Sequence, residues 1–459
     1  MSKLLTRLRR RFGEADEPAG TPAREDVGVT DRPAPEREDV LARLRRQIEA
    51  LDRRWKPEPA SLPETRAAPA GGELPGRMVE TPCGPVRLIS ATAPRSHLHG
   101  RFAIGSFAGG DADLGALRRL YRLSGPPDPE RLVFLDTETT GLSGGAGTLP
   151  FLVGLAWLDG GDLRIEQFFL DHPRQEPAMI LMLRDRLARF EHVVSYNGRS
   201  FDVPLVQNRF VLHRTPFPPI ETALDLLPGC RRLHRHHLDD RSLGSIERHV
   251  LGFERRDDVP GAEIPGIYRR YLMTRRPERL AEVIRHNVWD VVAMAALVGL
   301  HARLLSGGPG AAEDPAVDVA LGEIAWAAHE FDRAAAHLEC AIGRLSAGPN
   351  RADIVDLVVR ANRTLAFVHR RRGRHDLAAA CWTAILAAKP DEGQAHLGLA
   401  KHHEHRTGDL AAAERHGRLA AQFGAEGGED AVRRIERIRR RSSDRFESAG
   451  DAEPRGRGR

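Results

Sequence analysis

The chain is poor in cysteine, with Cys83, Cys230, Cys340 and Cys381 the only four in 459 residues, widely spread and without a CxxC pair. That excludes a disulfide-stapled scaffold and leaves ordinary free thiols, as expected of a protein in a reducing cytoplasm. Lysine is scarcer still for its type. Only Lys3, Lys56, Lys389 and Lys401 stand among 69 Lys and Arg residues, so positive charge is almost entirely arginine. Codon bias in a GC-rich genome accounts for this as well as phosphate recognition would. No apolar run is expected to span a bilayer, so no integral membrane segment is expected. The basic stretch Met1–Phe12 lacks the apolar core of a signal peptide. Charge of either sign is nearly balanced, at a net +5.

What is present is length enough for two or three domains. Residues 1–75 are rich in Pro, Arg, Glu, Asp and Ala and read as disordered. Within them Val40, Leu41, Leu44, Ile48 and Leu51 recur at helical spacing, which predicts an isolated amphipathic helix over 38–54. Residues 76–130 form a lead-in with a hairpin-like start, Val79–Ile89, turned at Cys83-Gly-Pro. From 131 to 305 apolar runs alternate with amphipathic ones. Strands are predicted at 132–136, 151–158, 163–170, 192–196 and near 222–226, and helices at 176–190, 202–213 and 277–305. Such alternation fits an α/β fold, a mixed five-stranded sheet with flanking helices.

The first of these strands ends in Asp136-Thr-Glu138-Thr-Thr-Gly141. Residues two apart on a strand share a face, so Asp136 and Glu138 point the same way. Carboxylates that close repel unless a cation lies between them, and oxygen ligands of that density suit Mg²⁺ or Mn²⁺. A strand-end Asp beside a surface Glu is the plain alternative. Asp202 follows an Asn-Gly turn and opens a helix, as a cap or as a third carboxylate. His286 and Asp290 lie four apart on one helix face. Asp290 is followed by Val291, Val292, Ala293 and Met294. A carboxylate at the edge of a core is costly without a compensating cation.

Together Asp-x-Glu, Asn-Gly-x-x-Phe-Asp and a His/Tyr-x-x-x-Asp helix resemble the three motifs of the ribonuclease-H-like 3′–5′ exonucleases. The closer resemblance is to the bacterial ribonuclease-H-like family of the YprB type. It rests on Asp136–Leu142, Gly144–Thr148, Tyr196–Asp202 and His286–Asp290, and it spans roughly Val79 to Leu305. The resemblance implies a ribonuclease-H-like fold. It implies Asp136, Glu138, Asp202 and Asp290 as ligands of two Mg²⁺ or Mn²⁺ ions and His286 as general base, five catalytic residues in all. Thr139 and Asn197, from the same motifs, are candidate substrate contacts. One departure stands out: His286 sits at the four-residue spacing that the tyrosine subgroup uses, whereas the histidine subgroup spaces its His five before the last Asp.

Tyr268, Arg269 and Arg270 mix stacking and cationic groups, which suits single-stranded DNA or RNA. A solvated face with the aromatics turned inward is the alternative. The Gly141–Thr148 loop reads either as a nest for phosphate or as a flexible connection. Asp225 is a further acidic neighbour or a turn residue. Cys230, His234, His236 and His237 fit no common zinc spacing. Over 316–424, Gly373 with Ala378 and Trp382 is echoed by Gly408 with Ala413 at an offset of 35. This resembles tetratricopeptide repeats, which stack as helix pairs and bind peptides or proteins. The Arg-rich tail, 425–459, reads as disordered. Two functions follow: a metal-dependent 3′–5′ exonuclease, or a catalytically weak nucleic-acid-binding adaptor whose repeats recruit a protein partner.

Overall fold

A computed structural model describes residues 74–108, 113–121, 123–141, 147–348, 351–425, 430 and 432–441, all within the compact unit Ala60–Arg459. The helix expected over 38–54 and most of the glycine-rich loop lie outside the described residues. A sheet of seven strands organises the first part: β1 Arg77–Thr81, β2 Gly84–Ala93, β5 Leu132–Thr139, β6 Pro150–Asp159, β7 Asp162–Phe169, β8 His192–Ser195 and β9 Thr222–Asp225. Two-residue strands β3 Leu98–His99 and β4 Phe102–Ala103 pair with each other. The order across the sheet is β1-β2-β7-β6-β5-β8-β9. The pairs from β1 to β5 are antiparallel, while β5–β8 and β8–β9 are parallel.

The expected five strands are therefore present as β5–β9, but the sheet has seven. The lead-in hairpin adds two more because β2 pairs along β7, from Arg87 opposite Phe169 to Ala93 opposite Leu163. This covers the β7 edge, which would otherwise present unpaired backbone groups, and it buries Val86, Leu88 and Ile89.

Alternation along β5 feeds two cores. Leu132 and Phe134 join one, with the long helix Leu280–Ser306; Val133 and Leu135 join the other, with helices Glu176–Leu187, Asp202–Leu212 and Ile264–Thr274. The expectation about membrane spans needs correcting at one place. Leu280–Ser306 is long and apolar enough to cross a bilayer, but most of it is buried inside the protein, as a core helix is.

The second part is helical: Pro315–Ala327, Phe331–Ser346, Ala352–Arg371, His375–Ala388, Gly393–His402 and Leu410–Gln422, each packed on the next. Val317, Leu321 and Ile324 of the first of these join the core beneath Leu280–Ser306. His329, Gly373 and Gly408 share a left-handed backbone, at φ 61°, 72° and 72°, each two residues before the next helix starts. The glycine echo in the sequence thus marks equivalent chain reversals. In the tail, where disorder was expected, 432–441 is helical. Arg434 is buried there, donating to the buried Glu404 carboxylate at 2.5 Å.

Candidate active site

Four carboxylates from three separate segments converge at the end of β5. Asp136 faces Gly154 on β6, and Gly154 in turn faces Gln167 on β7. A Cβ on Gly154 would lie 2.1 Å from Asn287 Oδ1, so glycine is required there. Asn287 occupies the space. It donates from Nδ2 to Asp136 Oδ2 at 2.7 Å and accepts from Gln167 Nε2 at 2.8 Å. Gln167 also donates to the Ile284 carbonyl at 2.8 Å. This row locks the helix Leu280–Ser306 onto the sheet and brings Asp290, one turn further on, to the cluster.

Asp202 begins its helix after a turn in which Asn197 takes φ 63°. Thr137 Oγ1 donates to Asp202 Oδ1 at 2.5 Å, tying the helix start to the strand. Glu138 is buried, and its Oε1 has no hydrogen-bond partner among the described residues. His286 Nε2 lies 3.5 Å from Asp290 Oδ2 and 4.0 Å from Glu138 Oε1. Its Nδ1 lies 2.7 Å from Asp258 Oδ1. That contact favours the tautomer with hydrogen on Nδ1, leaving the Nε2 lone pair toward the carboxylates.

The charge is out of balance. Burial, then Asp290 and Asp202, hold the Asp136 carboxyl well above the usual carboxylate range, against the Asn287 hydrogen bond. Burial, then Asp136, Asp290 and Asp202, do the same to Glu138. Asp202 is pushed up to about 6, mainly by burial, with the Thr137 hydrogen bond opposing. Among the described residues, Arg255 answers them, donating to Asp290 Oδ1 at 2.5 Å. It is shared with Glu247 Oε2 at 2.6 Å and Asp258 Oδ2 at 3.3 Å. Burial opposes its charge, but Asp290 and Glu247 hold the guanidinium pKa above its ordinary value. The cation expected beside Asp290 is thus partly supplied by the chain itself. Glu138, His286 and Asp290 place ligand atoms within 4.8 Å of one another, a set able to hold a metal ion.

The other expected site residues fare differently. Thr139 is buried and donates from Oγ1 to the Gly141 carbonyl at 2.7 Å. The Asn197 backbone N–H donates to Asp225 Oδ1 at 2.8 Å. Asp225 also caps the helix that follows, accepting from the Leu227 amide at 3.0 Å, so it is a turn residue. Tyr268 is a core residue rather than a stacking platform. It is buried, its ring lies 3.9 Å from that of Phe151, and its hydroxyl donates to the Leu170 carbonyl. Arg269 and Arg270 are exposed on the same helix and make no ion pair with the cluster among the described residues. The zinc arrangement does not form. His236 turns to Glu323 at 3.1 Å, while Cys230 lies 3.8 Å from His301.

Sequence reasoning overlooked Arg255, Asp258 and the bracing role of Asn287. Asn287 stood inside the His-Asn-x-x-Asp motif and was open to detection. The turn holding Arg255 and Asp258 has no periodic pattern that would reveal which way it faces.

The family model described as "RNase_H superfamily" matches residues 133–301. The chain carries an RNase H-like domain. The chain is 29% identical over 326 residues, 68% of its length and 75% of the relative's, to "Uncharacterized protein YprB" of Bacillus subtilis (strain 168). It is also similar to the family B DNA polymerase of the archaeon Pyrobaculum calidifontis, at 16% identity and a TM-score of 0.31. That similarity covers 49% of this chain and spans 30% of the polymerase chain.

Proposed function

We propose that the protein is a metal-dependent nuclease, a 3′–5′ exonuclease on single-stranded DNA or RNA. The observation that carries this is the buried, undercompensated carboxylate cluster of Asp136, Glu138, Asp202 and Asp290, with an orphaned Glu138 Oε1 inside it. Like charges held together against burial are stable when a cation shares them. A donor set made of carboxylate oxygens fits Mg²⁺ or Mn²⁺, and the four carboxylates would hold two such ions. Bound there, the ions would polarise the scissile phosphate and lower the pKa of water.

The chain's own groups supply the rest. His286, held at Nδ1 by Asp258, offers Nε2 to take the proton of the attacking water. The water oxygen bonds to phosphorus while the bond to the neighbouring nucleotide's 3′ oxygen breaks. Arg255 fixes the Asp290 carboxylate, and Asn287 fixes that of Asp136. Thr139, Asn197, Arg269 and Arg270 are candidates for holding the strand.

The test is incubation of the full chain with end-labelled single-stranded DNA and RNA, in Mn²⁺ or in EDTA. Stepwise shortening in Mn²⁺ alone, lost in Asp136→Ala, is expected. Intact substrate in Mn²⁺, or cleavage that survives Asp136→Ala, ends the proposal.

A further inference from the structure

A second charged site lies in the helical part. Between helices Ala352–Arg371, His375–Ala388 and Gly393–His402 is a cavity of about 210 Å³ lined by Arg370, Lys401, Arg406, Arg434, His375 and Trp382. Gly398 forms part of its wall. A Cβ there would come within 2.6 Å of the Trp382 ring, so the glycine lets the indole lie against the neighbouring helix. A π-helical turn, His403–Thr407, follows directly and carries Arg406 into the lining. Such widened turns recur at functional sites.

The basic residues here outnumber the acids: Asp376 stands 4.0 Å from His402, and Asp430 offsets only part of the repulsion at Lys401. Glu404 is already shared among Arg434 at 2.5 Å and Arg437 and Arg441 at 3.6 Å. Arg406 contacts another basic side chain, His375, at 2.6 Å. Arg370 and Lys401 form no ion pair among the described residues. Burial, then Arg434 and Arg370, depress the Lys401 pKa. A set of cations in one recess is relieved by an anion.

An aromatic group completes the pattern. Phe367, a large apolar side chain left 36% exposed, stands edge-on to Trp382 with ring centroids 5.5 Å apart. The Arg370 guanidinium sits 5.9 Å from its centroid. A cationic recess beside an exposed aromatic face is what a single strand uses: a phosphate in the recess and a base on the ring. An acidic peptide would use the recess but has no base to lay on Phe367.

We infer that this recess binds a backbone phosphate of single-stranded nucleic acid, with Phe367 stacking an adjacent base, as a binding site separate from the carboxylate cluster. The choice of strand over peptide leans on the nuclease reading; the anion site itself does not.

The test uses the full chain in EDTA, where cleavage plays no part. Anisotropy of a labelled 12-nucleotide strand is compared with that of an Asp/Glu-rich peptide of equal length. Arg370→Glu with Lys401→Glu should weaken strand binding at least tenfold and flatten the log Kd against log salt slope by roughly 0.7, the share of one phosphate contact on a single strand. Arg77→Glu with Arg174→Glu, an equal charge change on exposed residues elsewhere, should have little effect. Phe367→Ala should weaken binding at least fivefold with the slope unchanged. Arg370→Gln with Lys401→Gln, matched to wild type by circular dichroism, guards against misfolding and should also weaken binding. Equal strand affinity in the charge-reversed, glutamine and wild-type proteins overturns the inference, as does binding of the peptide but not the strand. Strand binding that persists in a chain unable to cleave in Mn²⁺ would keep this site and remove the nuclease reading; cleavage without the recess effect would do the reverse.

Discussion

Gly154→Ala tests the bracing of the site most sharply. The new methyl carbon would lie 2.1 Å from Asn287 Oδ1, 2.8 Å from its Cγ and 3.0 Å from its Nδ2. Gly154 does not occupy the left-handed region, so the added cost is steric rather than conformational. The strand cannot retreat, because β6 is hydrogen-bonded to β5 on one side and β7 on the other. Asn287 must move, giving up its bonds to Asp136 and Gln167. Overpacking of a filled core costs about 1–3 kcal/mol. A buried polar group left without its partner adds about 1–3 kcal/mol. Gly154→Ala should therefore cost about 2–6 kcal/mol in urea melts and lower any metal-dependent cleavage. Asn287→Ala removes the obstacle. In that background Gly154→Ala should cost at least 1 kcal/mol less, a coupling expected of groups in direct contact. Equal costs in both backgrounds would show that Asn287 does not fill the space above Gly154.

Arg255→Ala leaves the fully buried Glu247 with His99, at 2.8 Å, as its remaining ion-pair partner among the described residues, and should destabilise by about 3–5 kcal/mol in urea. Asp202 has a folded pKa of about 6 against 3.8, so its contribution is full below pH 4 and is lost as pH rises through 6. In EDTA, Asp202→Asn should thus gain about 3 kcal/mol relative to wild type between pH 4 and 8, as read by melting across pH. Mn²⁺ should raise the wild-type melting temperature more at pH 7.5 than at pH 5, and should not raise that of Asp136→Ala with Asp290→Ala. His286→Ala should slow cleavage, and Asp258→Asn should lower kcat more than it raises KM, if Asp258 acts by orienting the imidazole. Tyr268→Ala should cost about 3–5 kcal/mol of stability as a core truncation, whereas Tyr268→Phe should leave strand binding unchanged.

The strands were legible because their signal is local. The runs around Val133, Leu155 and Val193 alternate or stay apolar over the length that the structure assigns to them. The hairpin at Cys83-Gly-Pro was legible too, but its docking on β7 was not, because pairing partners far apart in sequence leave no local trace. Asp136, Glu138, Asp202 and Asp290 could be named from motif order. Their convergence depends on Asn287 fitting over a glycine in another strand, which no single segment encodes. Tyr268 misled because Tyr-Arg-Arg reads alike whether the ring points out or in. The helical period decides it, since Ile264, Ile267, Tyr268 and Tyr271 form one buried stripe that leaves Arg269 and Arg270 outside. His402 and His405 carry no sequence signal of their own, and both line the cationic recess, which the packing of three helices creates.

The four carboxylates are expected to hold a divalent cation. Mn²⁺ binding to the full chain at pH 7.5, followed by electron paramagnetic resonance of the free ion, tests it directly. Saturable loss of the free signal is predicted for wild type, strongly weakened in Asp136→Ala and in Asp290→Ala; identical titrations for all three proteins would contradict it.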